Sequence, residues 1–253
     1  MLTKTKIKWI NSLERKKNRD EEGVFVAEGY KLVAELLPKL KCRFIAISDE
    51  NILQKFDKNV KDIEVISAQE YKKISFQKSP QGILGVFEKP VSEFDIHAIS
   101  NNLNLALDEI QDPGNLGTIL RLADWFGIKD VFCSKNTADA FSPKAVQATM
   151  GAIGRVNIHY VDLPELLLKA DGKLPIYGTF LNGDNIFNDN LSKNGIIILG
   201  NEGNGISPEV EQLVTKRISI PKYPIGKNLA ESLNVGIAAA IVVAEFRRNT
   251  PNH

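Results

Sequence analysis

The stretch Ile218–Arg248 has the sequence ISIPKYPIGKNLAESLNVGIAAAIVVAEFRR, and its second half constrains the fold of the rest of the chain. Val235–Ala244 is an unbroken run of small and apolar residues with four alanines and one glycine. Such a run predicts a buried helix rather than a strand, and it is too short to span a bilayer. The loop before it would bring Ser232 and Asn234 to the start of the helix, where polar side chains either cap or take part in chemistry.

Two other stretches, Leu105–Gly127 and Ile196–Ser207, have the same character. In each, an apolar strand pattern runs into a loop of glycine, asparagine and acidic residues, and then into a helix pattern. Strands alternate with helices through the second half of the chain, which predicts a mostly parallel sheet covered on both faces. The predicted fold class is therefore α/β.

Four segments, DPGNLGTILRLA, ILGNEGNG, ISIP and SLNVGIAAAI, resemble the motifs of the SpoU/TrmH family of RNA ribose 2′-O-methyltransferases, within the SPOUT superfamily. They occur in the family's order and at about its spacing, from about Asn104 to the C-terminus. The resemblance implies a catalytic domain with a deep trefoil knot in its C-terminal part, and S-adenosylmethionine as the cofactor. Because knots are nearly absent from proteins, the knot rests on the resemblance alone.

The first part of the chain shows its own alternation of short strands and helices, beginning with a predicted helix at Lys8–Asn18. The family commonly carries a small α/β RNA-binding domain of this layout before its catalytic domain. We therefore expect an RNA substrate-binding domain over 1–90, a linker over 91–100 and a SpoU-type methyltransferase domain over 101–253, which ends in a helix at Glu231–Arg247.

Composition excludes several classes of protein. The 253 residues are 43% hydrophobic and 25% charged, as in soluble globular proteins, and no apolar run reaches membrane-spanning length. The N-terminus does not have the pattern of a signal peptide, and Cys42 and Cys133 lie in unlike contexts, so we expect a cytoplasmic protein without a disulfide framework. The three histidines give no zinc-site spacing, so no metal is expected.

Charge is distributed unevenly although the formal net charge is only +1. Residues 1–95 hold 18 basic and 15 acidic residues, whereas residues 96–253 hold 14 and 16. The first 19 residues carry seven bases and one acid. Such an end can attract RNA phosphates, and it can equally be a solvated tail.

Asn115 and Arg121 occupy the segment NLGTILR. By residue type alone, Asn115 is a good helix N-cap. An arginine among Ile, Leu and Ala either extends to solvent or binds an anion. The resemblance places both residues in the catalytic site.

The resemblance also assigns Glu202, Ser232 and Asn234 to the catalytic site. A helix-end charge is the structural alternative for Glu202, and a helix N-cap is the alternative for Ser232. Asn201 and Gly236 depart from the residues that many members have at these positions, so they could alter the shape of the pocket.

The resemblance implies that S-adenosylmethionine binds in three loops, with Gly200 allowing the adenine or ribose to approach the main chain closely. Glycines 200, 203 and 205 after a strand also suggest a dinucleotide fingerprint, but the order GxxGxG is the reverse of the usual one. Tight turns and core packing are the structural alternatives for these positions. The residues predicted to contact the cofactor are Leu199, Gly200, Gly203, Ile220, Leu229 and Leu233.

A ribose 2′-hydroxyl is a weak acid, so the site must align the acceptor oxygen and stabilise the developing charge on it. The very high pKa of arginine argues against Arg121 as a general base and favours electrostatic stabilisation or a grip on phosphate. The two-domain layout favours ribosomal over transfer RNA as the substrate. Base methylation and an RNA-binding protein without catalysis stay open, and the family is dimeric, so we expect a homodimer. In support, Val235–Ala244 is apolar on every face, and Trp125 and Phe126 are large aromatics beside Arg121.

Overall fold

The computed structural model describes residues 1–55, 63–95, 99–170, 172–188, 190–223 and 232–248. In chain order, the helices and strands are α1 Lys4–Ser12, α2 Lys16–Glu22, β1 Val24–Glu28, α3 Tyr30–Leu36, β2 Cys42–Ile47, α4 Glu50–Lys55, β3 Ile63–Val65, α5 Ala68–Lys72, β4 Ile83–Glu88, β5 Leu103–Leu107, α6 Pro113–Trp125, β6 Asp130–Ser134, α7 Pro143–Thr149, β7 Asn157–Val161, α8 Leu163–Ala170, β8 Ile176–Asn185, β9 Gly195–Leu199, α9 Pro208–Glu211, β10 Lys216–Ser219 and α10 Val235–Arg247.

The chain divides into two compact units. One comprises Met1–Val91 and Asp139–Arg155, and the other comprises Ser92–Ala138 and Val156–His253. The segment that contains α7 therefore packs with the first unit, although the sequence pattern assigned it to the second domain. The functional boundaries at 1–90, 91–100 and 101–253 stay a prediction.

The first unit is built on a four-stranded sheet in the order β1-β4-β2-β3. Strand β4 is antiparallel to both β1 and β2, whereas β2 and β3 are parallel. Helices α1 and α5 supply the buried residues Ile10 and Tyr71 to the cluster that covers one face of this sheet. The segment before α1 is joined to α5, because the main-chain N–H of Leu2 donates to Glu70 Oε1 at 2.9 Å.

The prediction of one helix over Lys8–Asn18 was wrong, because this segment is divided between the two helices α1 and α2. Arg15 is extended, and the side chain of Arg19 is buried in the corner between the two helices. Its guanidinium donates to the carbonyls of Leu13 and Glu14, both at 2.6 Å, and pairs with Asp139 at 2.5 Å. The arginine thus satisfies carbonyls that the end of α1 leaves without helical partners.

The second unit contains a six-stranded sheet in the order β10-β8-β9-β5-β6-β7, and every pairing in it is parallel. This confirms the predicted α/β class with a parallel sheet. Strands β5 and β9 lie side by side in the centre, and all their residues are buried. Because parallel strands end at the same edge of a sheet, the loops that follow β5 and β9 lie together there.

Helix α10 begins at Val235 rather than at Glu231, which lies outside the described residues. It packs against α6. The knot that the resemblance implies stays a prediction. Within the described ranges, no helix has the length and apolar character needed to cross a bilayer.

Candidate active site and cofactor cleft

Helix α6 is capped by Asp112, not by Asn115 as residue type suggested. The carboxylate of Asp112 accepts a hydrogen bond from the main-chain N–H of Asn115 at 2.9 Å, and Pro113 occupies the first turn. The side chain of Asn115 is thereby left for other partners. Its amide donates to Glu202 Oε1 at 2.8 Å.

Helix α10 is capped by Asn234, not by Ser232. Asn234 Oδ1 accepts from the N–H groups of Gly236 at 2.9 Å and Ile237 at 3.3 Å. The other end of the same amide, Nδ2, donates to Asn115 Oδ1 at 3.0 Å. Ser232 is exposed and stands before the cap, so its hydroxyl is not used to begin the helix.

These bonds form a directed chain from Asn234 through Asn115 to Glu202. The helix N–H groups require the oxygen of Asn234, so its NH₂ must face Asn115. Asn115 then accepts with its oxygen and donates with its NH₂ to the Glu202 carboxylate. The orientation of both amides follows from their partners. This series of hydrogen bonds ends on the Glu202 carboxylate and orients it. Glu202 is itself exposed, so its side chain is accessible to a substrate.

The structure gives a second reason for glycine at position 200, whereas the close approach of a cofactor stays a prediction. A Cβ at this position would lie 2.4 Å from the main-chain carbon of Gly205 and 2.4 Å from the nitrogen of Ile206. The space is therefore filled by the far side of the same loop. The loop is closed by paired main-chain hydrogen bonds between Asn201 and Gly205, at 2.8 and 2.9 Å. Gly200 is needed for this closure, and a larger residue would disturb the loop itself.

A cleft of about 780 Å³ lies beside Glu202 in the second unit. The ends of β8, β9 and β10 and the start of α10 form its described walls. Of the residues predicted from the family motifs, it is lined by Leu199, Gly200, Gly203, Ile220 and Leu233, together with Glu202 and Ser232. Leu229 lies outside the described residues.

Strand β8 contributes lining residues that the motifs did not indicate. Thr179, Phe180 and Leu181 border the cleft, and Leu181 is 71% exposed. The strand extends over Ile176–Asn185, so these three residues lie in its middle. Nothing in the sequence distinguishes Leu181 from a core leucine, so no sequence signal could have identified these lining residues.

Arg121 is not joined to Asn115, Glu202 or Asn234 by any hydrogen bond in the part of the chain that the structure describes. It is exposed on α6 and forms no ion pair with a described residue. The side chain thus extends to solvent, one of the two outcomes expected for an arginine among apolar residues. Its neighbours on the same helix face are Thr118 and Trp125, which are also exposed.

Two other kinds of reactive group are cysteine thiols and side chains that can ligate a metal ion. Burial raises the pKa of the Cys133 thiol far above its usual value, which makes it a poor nucleophile. The described residues contain no group of three or more metal-ligating side chains.

Known proteins match the chain along its whole length. Residues 102–244 match the model of the SpoU rRNA Methylase family, and residues 4–85 match the MRM3-like substrate binding domain. The 23S rRNA (guanosine(2553)-2'-O)-methyltransferase RlmP of Bacillus subtilis is 32% identical over 246 residues, which cover 96% of each chain. A solved structure of a TrmH-family protein from Porphyromonas gingivalis is 40% identical, with a TM-score of 0.85, and the match covers 99% of this chain and 100% of that one. A solved structure of an AdoMet-bound rRNA methyltransferase from Sinorhizobium meliloti is 30% identical, with a TM-score of 0.85, and covers 100% and 97%.

The double use of the Asn234 amide predicts that its two functions can be separated. In Asn234→Asp the carboxylate still accepts from Gly236 and Ile237 and suits a helix N-terminus, but it cannot donate to Asn115. We expect a melting temperature close to that of the wild type and a single-turnover rate of methyl transfer lower by about 10².

In Asn234→Ala the cap is lost as well, which costs about 1 kcal/mol of stability. Thermal unfolding and single-turnover assays of both variants check the separation. A wild-type rate in Asn234→Asp would show that the oriented amide chain is not needed.

Proposed function

The chain belongs to the SpoU rRNA methylase family, and we propose that it transfers a methyl group from S-adenosylmethionine to a ribose 2′-hydroxyl of ribosomal RNA. The observation that supports this proposal most directly is the series of hydrogen bonds from Asn234 through Asn115 to Glu202, which ends beside the cleft. It supplies fixed polar groups at the edge of a pocket of suitable size for a cofactor.

The cleft fits S-adenosylmethionine in size and in chemistry. Its volume, about 780 Å³, lies within the range of roughly 300–1,000 Å³ that is usual for ligand pockets. Apolar side chains such as Leu199, Ile218 and Val242 suit an adenine ring, and the main chain around Gly203 offers polar groups. When bound, S-adenosylmethionine supplies a methyl group on a cationic sulfur, which needs no acid catalysis at the donor.

The residues around the cleft must therefore act on the acceptor, which is the ribose 2′-hydroxyl. In our proposal Glu202, Ser232 and Asn234 orient the ribose, and Asn115 fixes Glu202. Arg121 holds an RNA phosphate and lowers the pKa of the 2′-hydroxyl by its positive charge, since a guanidinium stays protonated and cannot accept the proton. The proton then passes to phosphate or water.

Ribosomal RNA is favoured over transfer RNA by the full-length match to RlmP, whose name specifies 23S rRNA. Retention of Asn115, Arg121, Glu202 and Asn234 argues against a protein that binds RNA without catalysis. The buried thiol of Cys133 is reduced, which agrees with the cytoplasmic location that is part of the proposal.

We further propose that the N-terminal unit binds the RNA. Residues 4–85 match a substrate-binding domain, and the exposed side chains of Lys4 and Lys8 lie one turn apart on α1. Neither lysine has an ion-pair partner among the described residues. By contrast, Lys16 pairs with Asp20 at 2.6 Å on α2.

We also propose that the protein is a homodimer through α6 and α10. One face of α10 is buried within the chain by Val235, Ala239, Val242, Val243 and Phe246. The opposite face is still apolar, and on it Ile237 is 56% exposed. Trp125 on the adjoining α6 is 84% exposed. Large exposed apolar side chains on two helices that pack together are typical of an interface.

The function is tested with labelled S-adenosylmethionine and 23S ribosomal RNA transcribed in vitro. We expect the label in a 2′-O-methylated nucleoside after complete digestion. A methylated base would support the base-methylating alternative, and label found only with transfer RNA would contradict the ribosomal substrate.

Arg121→Ala should fold and bind the cofactor like the wild type, because the side chain makes no bond to a described residue. We expect a loss of about 10²–10³ in single-turnover rate, since one group directed at developing charge is removed. Arg121→Lys keeps the charge but not the planar fork, so it should recover only part of the rate. Calorimetry with S-adenosylmethionine provides the control, and a near-normal rate in Arg121→Ala would contradict the role.

Removal of the positive charges of Lys4 and Lys8 should weaken binding of 23S ribosomal RNA. Each phosphate contact that is lost lowers the slope of log K against log salt by about 0.7–0.9. The matched control is the double alanine variant of Lys16 and Lys17, which removes the same charge from residues paired with Asp20 and Glu21. An equal loss of RNA affinity in both double variants would show that only net charge matters, and it would contradict a specific role for Lys4 and Lys8.

Sedimentation equilibrium at micromolar concentration should give about twice the chain mass of 28.1 kDa. Ile237→Asp and Trp125→Glu place charges on exposed positions of the proposed interface, so each should give folded monomer. Leu168→Asp is the control, because Leu168 is 62% exposed on α8, outside this face. A wild-type monomer with full activity would exclude the dimer.

A further inference from the structure

The side chain of Asn201 is used at both ends. Its Nδ2 donates to the main-chain carbonyl of Glu109 at 2.8 Å. Its Oδ1 accepts from the N–H groups of Gly203 at 2.8 Å and Asn204 at 2.9 Å. A carbonyl can only accept and an N–H group can only donate, so the orientation of this amide is also determined by its partners.

Glu109, which receives the bond from Asn201, has an unusual backbone. It follows β5 with φ at 58°, in the left-handed region that is unfavourable for a residue with a Cβ. Its N–H donates to Ser134 Oγ at 2.9 Å, and its carboxylate accepts from Asn136 Nδ2 at 2.7 Å. A strained backbone persists where its surroundings over-determine it, and such positions cluster at functional sites.

The bond between Asn201 and Glu109 connects the two segments that carry the site. Glu109 opens the turn that runs to Asp112, the cap of α6, and on to Asn115. Asn201 directly precedes Glu202 in the loop that lines the cleft. The bond from Asn115 to Glu202 is itself exposed, so it has water as a competitor. Asp108 also joins the two segments, since its N–H donates to the Leu199 carbonyl at 2.9 Å and its carboxylate accepts from the Ser207 N–H at 2.7 Å, but neither bond involves residues 201–204.

From this geometry we infer that Asn201 is a positioning residue, which couples the cofactor-cleft loop to the turn that delivers Asn115. The inference rests on the proposed function, because rate is one of its readouts. The Oδ1 bonds shape the loop around the cleft, whereas the Nδ2 bond sets the place of Glu202 relative to Asn115. The two ends of one side chain therefore have different effects, which substitution can separate.

Asn201→Asp keeps the acceptor for Gly203 and Asn204 but loses the donor to Glu109. We expect its dissociation constant for S-adenosylmethionine, measured by calorimetry, to stay within about threefold of the wild type. The single-turnover rate on 23S ribosomal RNA should fall by at least about tenfold, because small displacements of reacting groups have large effects on rate. Asn201→Ala should both bind S-adenosylmethionine more weakly and react more slowly, since neither end of the amide remains.

Asn136→Ala is the matched control. It removes a bond to the carboxylate of the same Glu109 and leaves the carbonyl available to Asn201. Its rate should stay within about twofold of the wild type. A fall in Asn201→Asp no larger than in Asn136→Ala would overturn the coupling, as would weakened cofactor binding in Asn201→Asp with an unchanged rate.

Hydrogen exchange separates the coupling from the choice of substrate. Exchange across residues 200–206 should become faster in Asn201→Asp and not in Asn136→Ala, whatever RNA the enzyme modifies. If wild-type protein methylates no ribosomal RNA, the substrate proposal fails while exchange still reports on the coupling. Equal exchange in wild type and Asn201→Asp would overturn it.

Discussion

The amide of Asn234 has to satisfy the first turn of α10 and the side chain of Asn115 at the same time. The helix needs an acceptor, since its first N–H groups have no partners within the helix. Two of them, at Gly236 and Ile237, take the oxygen of Asn234. Only the NH₂ group of Asn234 then remains to bind Asn115, and it takes the oxygen of the Asn115 amide. The NH₂ group of Asn115 is in turn left for the carboxylate of Glu202. The backbone of a helix thus orients a carboxylate that is 32 positions earlier in the sequence.

The topology of the sheet makes this short chain of bonds possible. Asn115 follows β5, and Glu202 follows β9, yet these strands are immediate neighbours in the centre of a parallel sheet. Their loops therefore leave the sheet at one edge, where the polar residues meet without any of them lying in the apolar core. Polar groups that are oriented in advance need not reorganise when charge develops, and in many enzymes this preorganisation accounts for most of the rate enhancement.

Much of this arrangement could be predicted from the sequence, but the identity of the caps could not. The apolar run Val235–Ala244 and the alternation of strands and helices predicted α10 and the parallel sheet, and the family motifs predicted Asn115, Glu202 and Asn234 as site residues. Asp112 and Asn115 are both good N-caps by type, as are Ser232 and Asn234. A shift of two or three residues decides which side chain is consumed by the helix and which remains for chemistry.

Other features depend on contacts between residues distant in sequence, which no local pattern contains. The break between α1 and α2 lies where Arg19 binds the carbonyls of Leu13 and Glu14, and Arg19 also pairs with Asp139, 120 positions away. Gly200 is required by the main chain of Gly205 and Ile206, so closure of the loop alone already demands a glycine there. Asn201 first appeared as a departure from the family pattern, and its importance follows only from the position of the Glu109 carbonyl.

The exposure of Arg121 has a consequence for where catalysis takes place. A charge in water is screened within several ångströms, so a solvated guanidinium stabilises a developing alkoxide only weakly. For the role that we propose, Arg121 must lose water when the substrate binds. It lies on the same face of α6 as Trp125, which is 84% exposed, and α6 packs against α10. Coverage of this face by a second subunit, with RNA over Arg121, would lower the local dielectric and strengthen the arginine's field. In the dimer that we propose, assembly and catalysis would both depend on covering the face of α6 that carries Arg121 and Trp125.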